Sequence, residues 1–146
     1  MQVTKATEHD IHAVAVLTKQ FEQASSFIKV DIAYTTKVYQ SNIRSGKGAM
    51  FLLKDENKLV GALGCIKAND MHSGELIAIE TVWFVDPKHR GGGMKLWHAF
   101  DGWAKDQGCK KKAMIHMEDS FAGELEKIYK KKGYKLVERH YVADVI

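Results

Sequence analysis

Proline occurs once in this chain of 146 residues, as Pro87, and cysteine only twice, as Cys65 and Cys109. Two distant cysteines in no metal-ligand spacing exclude a disulfide-dense scaffold and a zinc ribbon; they fit apolar fillers in a reducing compartment. No stretch approaches the roughly 18 uninterrupted apolar residues of a membrane span. The opening MQVTKATEHD also lacks the apolar core of a signal peptide, so a cytoplasmic protein without a membrane partner is expected. Charge of one sign is scarce too: the net charge is +4, and splitting the chain after Ser73 leaves +2 in each half (9 minus 7, then 13 minus 11). Without a basic tail or stripe, composition argues against nucleic acid as the partner. No Gly/Ser/Pro-rich linker or internal repeat divides the sequence, and 45% hydrophobic residues are enough for one core, so a single domain over 1–146 is expected.

What is present is a change of period along the chain. Gln2 to Ala6 reads as a strand, and Thr7-Glu8-His9-Asp10 has the form of a capping box before a helix carried by Ile11, Val14 and Phe21. Ile32, Thr36, Tyr39 and Ile43 predict a second helix, stopped by Ser45-Gly46-Lys47-Gly48. AMFLL (49–53), the turn DENK (55–58) and LVGALGCI (59–66) predict a hairpin, and LIAIETVWFV (76–85) a longer strand. Met94, Trp97, Phe100 and Ala104 return to helical spacing until Gly108. AMIHM (113–117) then reads as a strand, 118–132 as a helix and 136–145 as a last strand. Strands alternating with helices make this an α/β or α+β layer protein.

Between the long strand and the third helix stands VDPKHRGGGMK. Phosphate oxygens are held by several backbone N–H groups converging at a helix start, where the dipole is positive. Gly91, Gly92 and Gly93 strip Cβ atoms from that turn, Arg90 adds a charge-assisted contact, and Pro87 fixes the exit from the strand. Neither G-x-x-x-x-G-K-[ST] nor G-x-G-x-x-G is present.

This stretch resembles the acyl-CoA diphosphate loop of the GCN5-related N-acetyltransferases, whose pattern is Arg or Gln, two residues, Gly, one residue, then Gly or Ala. Arg90 and Gly93 match, while Lys95 stands at the last position. Downstream, IYKKKGYKLVERHYV (128–142) resembles the Leu-Tyr-x-Lys-x-Gly-Phe segment of the same family through Tyr129, Lys131, Gly133 and Tyr134. The upstream asparagine of that segment is replaced by Ala122, with Ser120 nearby. The resemblance implies a mixed sheet of six or seven strands flanked by four helices and splayed between the fourth and fifth strands. It also implies acetyl-CoA as acyl donor, a primary amine as acceptor and no metal. Phe84, Val85, Arg90, Gly91, Gly92, Gly93, Met94, Lys95 and Ser120 are then the cofactor-binding candidates, with Trp83 and Phe84 beside the pantetheine.

Direct attack on a thioester sets three chemical requirements. A lysine-like amine of pKa about 10.4 costs about 4 to 5 kcal/mol to deprotonate at pH 7, so a base is needed. Glu80, a carboxylate among apolar strand neighbours, should have a raised pKa and is the first candidate; His116 and Glu118 come next. The developing oxyanion needs a donor, for which the amides of Phe84 and Val85 are placed. The leaving thiolate needs a proton, and the family pattern implies Tyr129 as its source. His116-Met117-Glu118 lacks the P-C-x-x-C that would make it a zinc motif. Residues 20–48, including Asp31, Tyr34 and Tyr39, are where this fold shapes an acceptor pocket, but they specify no substrate. A catalytically degenerate module binding CoA, a protein or nucleic acid on the same fold is the alternative, and homodimerisation through the last strand is left open.

Overall fold

A computed structural model describes residues 1–24, 28–116 and 122–145, and contacts divide the chain into Met1–Ile115 and His116–Ile146. In the first unit, strand β1 (Gln2–Lys5) leads into the capping box, where the Asp10 carboxylate accepts the Thr7 amide at 2.8 Å. Helix α1 (Ile11–Gln20) follows and buries Ile11, Val14 and Ala15. Asp31 caps α2 (Ile32–Ser45) by accepting the Tyr34 amide at 2.9 Å, and Gly46, at φ 73°, ends it in the left-handed region. Strands β2 (Gly48–Asp55) and β3 (Lys58–Asn69) form the hairpin, turning through Glu56 and Asn57 at positive φ. Strand β4 (Leu76–Val85), a 3-10 helix (Pro87–Gly92), α3 (Gly93–Asp106) and the short β5 (Lys111–Ala113) complete the unit.

The sheet has the order β1-β2-β3-β4-β5, antiparallel except for the parallel β4–β5 pair. Alternation along β2 explains the layers: Ala49, Phe51 and Leu53 meet Leu96, Phe100 and Trp103 of α3, whereas Met50 and Leu52 meet Ile11 and Val14 of α1. In β4 the phase changes, because Cys65 faces Glu80 while the adjacent Gly64 faces Val82, leaving Thr81 as the extra residue of a bulge. Ala78 therefore shares the α3 face with Trp83 and Val85, and Val82 and Phe84 join the α1 face.

The second unit contains α4 (Ala122–Lys131). Gly133, at φ 84°, ends it in a Schellman arrangement, the Tyr134 amide donating to the Tyr129 carbonyl at 2.9 Å and the Gly133 amide to Lys130 at 3.1 Å.

Two sequence expectations differ from these elements. The strand expected over 113–117 is formed at Lys111–Ala113, because the ladder with Ile77–Ile79 selects its register. The expected last strand is absent: residues 134–145 lie in no helix or strand, and Leu136, Val137, Tyr141, Val142 and Val145 are exposed. Residue pattern signals strand propensity, but a strand also needs a ladder partner. The described residues thus hold five strands and four α-helices rather than six or seven strands.

Candidate active site

The parallel ladder of β5 reaches only Ile79, paired with Ala113, while β4 continues to Val85. Glu80 is the next residue. It is 4% exposed, and its Oε2 accepts the Ile115 amide at 2.9 Å, a contact that continues where the ladder stops. Burial pushes its carboxyl up to about 7, partly opposed by that hydrogen bond. The raised pKa expected from its apolar neighbours is therefore present.

Beyond Thr81 the amides of β4 alternate between the two edges. The Asp86 amide donates to the Val60 carbonyl at 2.8 Å, so Phe84 also turns its amide to β3. Val85 turns its amide to the opposite edge, along which β5 pairs only as far as Ile79. Between the two oxyanion candidates this alternation favours Val85. The Phe84 ring instead stacks on Phe21 at 5.0 Å.

Asp86 then organises the turn: Oδ1 accepts the Lys88 amide at 3.0 Å, its carbonyl accepts the His89 amide at 2.8 Å, and Pro87 begins the 3-10 helix. His89 Nε2 lies 3.1 Å from Asp55 Oδ2 and fastens the turn to the end of β2. The sequence offered no signal for this histidine, whose partner lies 34 residues away.

The three glycines have different surroundings. A Cβ on Gly92 would stand 2.4 Å from Leu53 Cδ2 in the core, so this glycine is needed for packing. A Cβ on Gly93 would make ordinary contacts, the nearest at 3.5 Å from Trp83, and one on Gly91 would meet nothing within 4 Å. None of the three has a positive φ. Among the three, packing crowds only Gly92; Gly93 is buried with its Cβ position facing Trp83 and Val85, and the exposed Gly91 is the one with open space beside it. No side chain caps α3. The Gly93 amide donates to the Arg90 carbonyl, and the rest of the first turn carries the positive end of the dipole. Arg90 is exposed beside it, Met94 is half-buried, and Lys95 Nζ donates to the Met1 carbonyl at 2.9 Å. Trp83 Nε1, near Gly93, is buried with no hydrogen-bond partner among the described residues, its ring edge-on to Trp97 at 5.5 Å.

Of the acceptor-region candidates, Asp31 is occupied as the α2 cap, Tyr34 is exposed, and the Tyr39 hydroxyl lies 3.5 Å from Thr81 Oγ1. Burial raises the Tyr39 phenol pKa.

In the second unit the Tyr129 ring lies 6.1 Å from His116 and 6.0 Å from Tyr134. His116 Nε2 is buried without a hydrogen-bond partner among the described residues. Ser120 and Glu118 lie outside the described residues. Among those residues no group of three or more His, Cys, Asp or Glu is arranged to hold a metal, and no helix is long and apolar enough to cross a membrane.

Solved structures share this fold at low identity. A protein from Clostridium acetobutylicum described as a predicted acetyltransferase, crystallised with acetyl-CoA, superposes with a TM-score of 0.79 at 13% identity over 98% of this chain and 95% of its own. A ribosomal-protein-alanine N-acetyltransferase from Brucella melitensis gives 0.73 at 16% identity over 99% and 100%. AAC(6')-Iy, in complex with a bisubstrate analogue, gives 0.75 at 16% over 99% and 97%. No curated protein matches the sequence. The profile of the acetyltransferase (GNAT) family matches residues 11–134, most of the chain, and the chain belongs to that family.

Proposed function

We propose that residues 1–146 form one acyl-CoA N-acyltransferase domain that moves an acetyl group from acetyl-CoA to a primary amine by direct attack in a ternary complex. The observation that carries this reading is the Gly91–Gly93 turn, where a helix start without a side-chain cap adjoins the exposed backbone of Gly91, beside which packing leaves open space. These residues fit coenzyme A: the α3 amides, Arg90 and Gly91 to Lys95 would hold the diphosphate, and Ser120 would add a contact. The end of the β4–β5 ladder at Ile79 supports a splay beyond it that would admit the pantetheine beside Trp83 and Phe84. Acetyl-CoA supplies the acetyl group as a thioester.

Glu80 takes the proton from the amine, for which a carboxyl near 7 is well matched at neutral pH. The Val85 amide faces the edge where negative charge develops on the carbonyl oxygen, and a preorganised donor there lowers the barrier without reorganisation. Tyr129 gives a proton to the departing sulfur, a contribution of about 10² to 10⁴ in rate. The acceptor is a small-molecule amine or an amine on a peptide or protein.

Acetyl-CoA titration by calorimetry, followed by mass spectrometry on a panel of amines and lysine peptides, tests this reading. Saturable binding and an acetylated product are expected, and Tyr129→Phe should lower turnover far more than it changes acetyl-CoA affinity. Failure of acetyl-CoA to bind overturns the reading. Binding without any acetylated product selects a CoA-binding module on the same fold.

A further inference from the structure

About fourteen residues separate the start of α3 from its end, roughly 20 Å at the α-helical rise. At that far end, α3 and β5 border an open cleft of about 390 Å³ lined by Lys105, Lys110, Lys111, Lys112, Asp101, Ala104 and the partly buried Cys109. Four lysines against one aspartate place +3 around this cleft, while the entire chain carries only +4. Lys112 pairs with Asp101 at 2.5 Å and Lys111 with Glu75 at 3.3 Å. Lys105 and Lys110 have neither an ion pair nor a side-chain hydrogen bond among the described residues.

Lysines often gather at a helix C-terminus because they complement its dipole and its unpaired carbonyls. Here that need is already met: the carbonyls of Trp103, Ala104 and Lys105 accept the amides of Gln107, Cys109 and Gly108 at 2.9 to 3.0 Å. Crowding like charges around a concavity is then a cost that folding does not require, and it raises the local concentration of anions. The cleft lies at the small end of the range for ligand pockets, and no aromatic side chain lines it to stack a nucleobase. We infer that the cleft between the end of α3 and β5 binds a compact multivalent anion, a phosphate, diphosphate or phosphomonoester, separately from the diphosphate turn at Gly91–Gly93. Lys105 and Lys110 close on the ligand as point charges, while Lys111 and Lys112 share it with their carboxylates.

Cys109 in the cleft provides a local reporter, since Cys65, the other thiol, is buried and its pKa is pushed up to about 12. Inorganic pyrophosphate and orthophosphate are titrated into the full-length chain. Amide resonances of Cys109 to Lys112 and the rate of Cys109 alkylation by a neutral reagent are followed. Saturable shifts and slowed alkylation are expected. The exposed pair Lys105→Ala with Lys110→Ala should weaken both at least tenfold without changing Tm, whereas Gly91→Val should leave both intact. No saturable shift, or the same response in the lysine variant, overturns the assignment. A response to RNA or an acidic peptide but to neither phosphate overturns it as well, in favour of a macromolecular partner.

Discussion

The two halves of β4 share one apolar run but have different neighbours. Leu76–Ile79 lies between β3 and β5, whereas from Glu80 to Val85 the strand pairs with β3 alone among the described residues. On the inner half, side chains and amides serve the sheet. On the outer half, the strand has no second ladder among the described residues, and the proposed chemistry falls on the Val85 amide, the Glu80 carboxylate and the turn that follows. A strand paired on one side only is ordinarily a liability, because its unused donors and acceptors invite other chains. In this protein that liability coincides with the candidate site.

Substitution of Glu80 is the strongest test of the contrast. With Glu80 as base, kcat/KM should rise with pH through about 7, and Glu80→Gln should abolish that rise and lower the rate about 10² to 10⁴-fold. Stability gives an independent reading. The folded-state pKa lies above the ordinary carboxyl value, so the native state binds the extra proton between about 4.5 and 7, and Glu80 makes stability fall as pH rises across that window. Urea melts at several pH values should show this slope flattened in Glu80→Gln. A retained rate profile with a flattened stability slope would leave Glu80 as a buried structural acid.

Smaller effects belong to the turn fed by the outer half. Gly91→Val, where a Cβ meets nothing, should leave Tm unchanged and weaken acetyl-CoA binding about tenfold, near 1.4 kcal/mol. Calorimetry beside a thermal melt separates the two. The smallest effect should come from the inner half: Ile77→Val should cost about 0.5 to 1.5 kcal/mol of stability and leave kcat/KM untouched. A kinetic defect there of the size seen at Glu80 would break the division of β4 into a structural and a chemical half.

Local rules made most elements readable. The capping box before α1, the helical spacing of Met94, Trp97 and Phe100, and the apolar runs on either side of the turn in the β2–β3 hairpin depend on residues close in sequence, and all three are present. What escaped depends on distant partners. His89 finds Asp55 and Gly92 finds Leu53, neither of which a motif reveals. Glu80 was readable as a buried acid, but the Ile115 amide that restrains it was not. The Nζ of Lys95, one of the cofactor-binding candidates, donates to the Met1 carbonyl, a partner 94 residues away that no motif reveals. The last strand failed for a related reason, since its residues carry β propensity without a ladder partner among the described residues.

The additional residue in β4 also bears on how this chain can diverge. Removing Thr81 would restore simple alternation with Glu80 still opposite Cys65 and Val82 still opposite Gly64, so Trp83 and Val85 would stay in the layer of α3 and Val82 and Phe84 in that of α1. Substitutions along this segment are negotiable one at a time, but a single-codon deletion between Val82 and Val85 that keeps the bulge turns every later residue of the strand to the opposite layer. Its length should therefore drift more slowly than its letters.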